Sequence, residues 1–178
     1  IKMNRSNIEE VLRNSVGLEL NAIETPDSVN SHVRSQKEFI SFRNEVTFYF
    51  SHNKVLYIKD RAFDDLNKSL MLHEISCSLN SNSELLKESN NHISFKGLGF
   101  VIQKIVFWSI DIKTLFLEFE EKDFLPKIVQ LRFRNKLDFY LVFDDFHPFM
   151  TIYYSKNSFD EYINSSEFTY KRFDWPEL

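Results

Sequence analysis

Glycine is nearly missing from this chain, with three residues in 178. So little of it leaves no material for a phosphate-cradling loop, and neither G-x-G-x-x-G nor a Walker A sequence occurs. The G-x-S-x-G, H-E-x-x-H and EF-hand patterns are absent too. Cys77 is the single cysteine, which excludes an intrachain disulfide and leaves no thiolate pair for zinc. A lone cysteine agrees with a reducing compartment. No segment approaches the ~20 apolar residues of a membrane helix, and the opening IKMNRSNIEE has no apolar signal core. The expectation is a cytoplasmic protein without a membrane partner. A basic excess is also lacking, since the net charge is −4. Duplex binders draw most of their affinity from phosphate neutralisation by Lys and Arg, so no nucleic-acid partner is expected. The acidic balance favours a basic partner or simple solubility.

What the chain has is aromatic residues. Nineteen Phe and seven Tyr stand against two alanines, Ala22 and Ala62. Aromatics suit a pleated, half-buried surface and Ala is the best helix former, so sheet should dominate. The strongest pattern lies in 115–154. Leu115, Leu117 and Phe119 alternate with Phe116, Glu118 and Glu120. Val129, Leu131 and Phe133 alternate with Gln130, Arg132 and Arg134. Leu137, Phe139, Leu141 and Phe143 alternate with Asp138, Tyr140, Val142 and Asp144, and Met150, Ile152 and Tyr154 close the series. Period-2 alternation predicts four strands with one face on a core and one in water. Links this short force antiparallel neighbours.

The remaining chain predicts helices near both termini. Ser6 and Glu9 form a capping box ahead of Val11 and Leu12, with Gly17 as the stop, and Ser158 and Glu161 form a second box. Residues 25–37 predict a loop. Residues 45–50 and 55–59 predict a hairpin. Asp60 predicts a short helix carrying Ala62, Phe63, Leu66 and Leu70, before a strand from Met71 to Leu79. One helical turn is expected at 84–88, then a strand through 92–96 and a turn at Gly97 and Gly99. The apolar run 100–112 predicts a central strand, and Phe168, Tyr170, Phe173 and Trp175 let the tail dock. The fold class is α+β, with one domain over 1–178. It would hold one curved, mainly antiparallel sheet of roughly seven to nine strands with short helices near both termini.

Few residues offer chemistry. Cys77 and His73 share strand parity but would sit about 13 Å apart, too far for proton transfer. His32, His52, His73, His92 and His147 show no metal-ligand spacing. Asp111 after an apolar strand, followed by Glu120-Glu121-Lys122, loosely resembles the D…(D/E)-x-K pattern of metal-dependent nucleases. In that pattern two carboxylates hold a divalent ion and a lysine helps activate water. A small nuclease using Asp111, Glu120 and Lys122 is therefore the alternative function.

The turn containing Asp144, Asp145, Phe146, His147 and Phe149 combines acids with aromatic anchors, as interface centres do. Glu118, Glu120, Glu121 and Asp123 would extend the negative surface, and Tyr140 would supply a further anchor. In size and composition the chain is similar to the immunity proteins that bacteria make against nuclease toxins. The expected function is thus a non-enzymatic inhibitor that binds and neutralises a basic, nuclease-like toxin domain. No cofactor or metal is expected.

Overall fold

Cross-strand pairing of the aromatic segments builds two antiparallel sheets. The computed structural model describes residues 5–24, 39–43, 45–65, 70–81, 92–110, 128–143, 149–165 and 170–174. Helix α1 (Arg5–Arg13) leads into β1 (Leu20–Glu24). Strands β2 (Phe39–Arg43), β3 (Glu45–Phe50), β4 (Lys54–Asp65), β5 (Leu70–Ser81) and β6 (His92–Ser94) follow. Then come β7 (Ile102–Ile110), β8 (Ile128–Phe133), β9 (Asp138–Phe143), β10 (Phe149–Tyr153), α2 (Lys156–Ser165) and β11 (Tyr170–Asp174). One sheet has the order β5-β4-β3-β1-β6 and the other β11-β7-β8-β9-β10-β2. The class is therefore mainly antiparallel β with few, short helices.

A single sheet of seven to nine strands is not what forms. Among the described residues eleven strands divide into two sheets that share one core. The chain changes sheet between β2 and β3, across Asn44 alone. Val46, Phe48, Phe50, Leu56 and Ile58 of the first sheet are buried in one cluster with Ile105, Phe107, Leu131, Phe133, Phe139, Leu141, Phe143 and Ile152 of the second. Two sheets let both inner faces bury their aromatics against each other.

Three strands of the expected four-stranded meander are present, and the other neighbour of β8 is β7. β8, β9 and β10 pair antiparallel in chain order, with Leu131 opposite Phe139 and Leu141 opposite Ile152. Leu131, Phe133, Phe139, Leu141 and Ile152 are all 3 % exposed or less. The strand expected at 115–120 lies outside the described residues. So do the loop at 25–37 and the turn at 84–88.

The meander's other face, expected in water, is covered. Ile128, Tyr140 and Val142 are buried with Phe159 of α2 in a second cluster. The reason is topological. β10 and β11 run in the same direction at far positions in the sheet order. Such a pair needs a crossover, and α2 supplies it, lying over the face it crosses. α2 opens at Lys156, so Ser158 is inside the helix and the second capping box does not form as expected.

The helix expected after Asp60 is replaced by strand. β4 and β5 pair through twelve consecutive positions, from Lys54 opposite Ser81 to Asp65 opposite Leu70. Ladder pairing outweighs the weak helical preference of 60–65. β7 is interior but one strand in from the edge, because the tail docks as β11 beside it. Phe168 and Trp175 lie outside the described residues.

Candidate interaction surface

The two acidic segments leave the same end of the six-stranded sheet. β7 ends at Ile110 and β8 begins at Ile128, and Trp108 is the register partner of Ile128. β9 ends at Phe143 and β10 begins at Phe149, with Met150 opposite Phe143 and Ile128 opposite Val142. The connections 111–127 and 144–148 therefore start and finish on neighbouring strand ends. Glu118, Glu120, Glu121, Asp123, Asp144, Asp145, Phe146 and His147 lie outside the described residues, as do Asp111 and Lys122. Phe149 opens β10 opposite Arg43 of β2.

Tyr140 is placed elsewhere. It is 3 % exposed, and its ring stacks on Phe159 with centroids 3.8 Å apart and planes 10° from parallel. Trp108 meets the same Phe159 ring edge-on at 5.8 Å. The tyrosine thus belongs to the seat of α2 and is set apart from the open strand ends.

That seat is lined by a polar network that the sequence did not announce. The Trp108 indole N–H donates to Gln130 Oε1 at 3.2 Å, and Gln130 Nε2 donates to Asp138 Oδ2 at 2.9 Å. Arg132 Nε donates to Asp138 Oδ1 at 3.3 Å, and the Tyr140 hydroxyl reaches Asp138 Oδ2 at 3.4 Å. Gln130 is 3 % exposed, so its amide needs these partners. Burial, then the charge of Asp138 and its hydrogen bond, push the Tyr140 phenol up to about 12. The phenol stays protonated at neutral pH and acts as a donor, not a base. The network holds the Trp108 and Tyr140 side chains whose rings meet Phe159 of α2. Its only trace in the sequence is the placing of Gln130, Asp138 and Tyr140 on the second strand face.

The outer face of the five-stranded sheet repeats the motif of a phenol on a carboxylate. Tyr49 donates to Glu24 at 2.8 Å and Tyr57 donates to Glu45, which also lies 3.9 Å from Lys59 Nζ. Burial and the adjacent glutamate push both phenols up to about 12. Cys77 and His73 both lie in β5, four residues apart along one strand. His52 is exposed in the turn between β3 and β4. Among the described residues no group of three His, Cys, Asp or Glu side chains could hold a metal ion. No helix among them is long and apolar enough to cross a membrane. Comparison of the chain with protein-family models, curated proteins and solved structures returns no match.

Proposed function

We propose that the protein is a non-enzymatic binding protein whose acidic end occupies a basic protein, and in finer form that it neutralises a nuclease-like toxin domain. The observation that supports this is the common origin of connections 111–127 and 144–148 at neighbouring strand ends. The strand ends that flank both acid-bearing segments lie side by side at one end of the six-stranded sheet. A net charge of −4 agrees with a basic partner. The acids would steer encounter, while Phe146 and Phe149 would supply desolvated anchors.

The test is capture of a stoichiometric partner from native lysate, followed by binding kinetics with that partner. Charge reversal at Asp144 and Asp145 should slow association and flatten its salt dependence. Phe149→Ala should raise the dissociation rate about tenfold, equivalent to ~1.4 kcal/mol. Capture of an acidic partner, or indifference to all three substitutions, would remove the assignment. A basic partner without toxicity would retain the binding class and discard the toxin.

A further inference from the structure

The exposed large hydrophobic residues among those described all fall at one end of the molecule, opposite the acidic connections. They are Val16, Leu98 and Leu137, at 43 %, 61 % and 50 % exposure. Each stands on a separate turn, and the three turns are tied to one short segment, residues 100–102. Gly17 donates its backbone N–H to the Ile102 carbonyl at 2.8 Å, and Arg134 donates to the Val101 carbonyl at 2.9 Å. The third turn, with Gly97 and Gly99 in left-handed conformations, runs straight into the segment. Lys96, Arg134 and Lys136 are exposed on these same turns. The acid within 14–19, 95–102 and 134–137 is Glu19, and it is half-buried. Lys136 holds φ +67°, a conformation that glycine would adopt at less cost.

We propose that this end docks peripherally on an anionic lipid bilayer, with Val16, Leu98 and Leu137 entering the headgroup region and Lys96, Arg134 and Lys136 meeting lipid anions. Membrane attachment of this kind adds apolar insertion to attraction between basic residues and anionic lipids. A protein partner fits less well. Interface hot spots favour Trp, Tyr and Arg, while Leu and Val are under-represented there and Lys is depleted from interfaces. A second copy of the chain would bring the same cations face to face. The acidic segments do not cancel the attraction. They leave the far end of strands such as the six-residue β8, a separation of roughly 20 Å. That exceeds the screening length of about 8 Å at physiological salt.

The experiment is flotation of the full chain with phosphatidylserine–phosphatidylcholine vesicles and with phosphatidylcholine vesicles alone. Partition onto the anionic vesicles at low salt, lost at high salt, is expected. Lys136→Gln should weaken it about fivefold. Lys59→Gln, the same charge change at the far end of the β3–β4 hairpin, should weaken it less than about twofold because the charge is screened there. Leu98→Asn with Leu137→Asn should cost roughly tenfold or more. All these positions are exposed, so melting curves should stay unchanged and exclude misfolding. Absence of partition at low salt would overturn the proposal, as would equal effects of Lys136→Gln and Lys59→Gln. A dimer in solution dispersed by Leu98→Asn would assign the end to self-association and overturn it too. Tighter binding of poly-glutamate than of anionic vesicles would do the same in favour of an acidic protein.

Discussion

Phe139→Ala tests whether the two sheets share one packed interior. The ring is 3 % exposed, with centroids 4.8 Å from Phe133 and Tyr154, 5.2 Å from Phe100 and 5.4 Å from Phe95. Those partners come from β8, the residue after β10, and the turn between β6 and β7, so no single segment can settle into the hole. Phe-to-Ala changes in cores cost about 3–5 kcal/mol. Tilted and edge-on ring pairs add value beyond their area, ~0.5–1.5 kcal/mol each. The upper part of the range, about 4–5 kcal/mol, is therefore expected. Domains hold roughly 5–15 kcal/mol in all. With a urea slope of about 2 kcal/mol per molar, the midpoint should fall by about 2 M. The melting temperature should fall by roughly 10–15 °C at this chain length. Urea titrations followed by near- and far-UV circular dichroism measure both. A midpoint lowered by less than ~0.5 M, about 1 kcal/mol, would mean that the ring does not fill a shared core.

Other outcomes follow from the second face and the phenols. Phe159→Ala removes the one buried residue of α2 and should loosen that helix, seen in a Trp175→Phe background as a shift of Trp108 fluorescence at denaturant levels where the sheets persist. An unaltered fluorescence transition would detach α2 from the Trp108 seat. Asp138→Ala strips the acceptor from Gln130 and Tyr140 and should cost about 1–3 kcal/mol, with a melting curve as the check. Tyr49, Tyr57 and Tyr140 are acids whose folded values are pushed from 10.0 to about 12. The native state then holds phenol protons that the unfolded chain loses first, so their stabilisation is complete below pH 10.0 and disappears as pH rises through about 12. Absorbance at 295 nm should show late-titrating phenols and a falling urea midpoint across that window. Ionisation of every tyrosine near pH 10.0 in the folded protein would contradict it.

Much of the six-stranded sheet was legible because its signal is local. Leu131, Phe133, Phe139 and Leu141 alternate, and burial follows that parity on the inner side, while Leu137 of the same series is 50 % exposed just before β9. The opposite parity misled because Gln130, Tyr140 and Val142 look half-polar in sequence, while their burial depends on Phe159 arriving from a later helix. The division into two sheets was equally hidden. Nothing local to Asn44 states that the chain passes from β2's partner to β3's. The helix expected after Asp60 failed for the same reason, since residues 60–65 gain their strand state from pairing with 70–75. For the proposed interaction residues, charge is legible in the sequence, while the neighbouring strand ends that flank their segments emerge only from the pairing. Tyr140, read from parity as a surface anchor, is under α2. Val16, Leu98 and Leu137 stand on three separate turns and form no linear pattern, so their grouping at one end emerges only from the fold.

The register of β2 also bears on how the chain is made. Residues 39–43 find their partner only in 149–153, more than a hundred residues later. The β3–β4–β5 ladder can form from neighbouring sequence as soon as it leaves the ribosome. At about 5–20 residues per second of synthesis, β2 waits on the order of 5–20 seconds for β10. Closing so large a loop draws on chain entropy and slows assembly of the six-stranded sheet relative to its neighbour. During that interval Phe-Ile-Ser-Phe-Arg is a short aromatic strand without its ladder, so the nascent chain passes through a stage open to mispairing that the finished protein no longer shows.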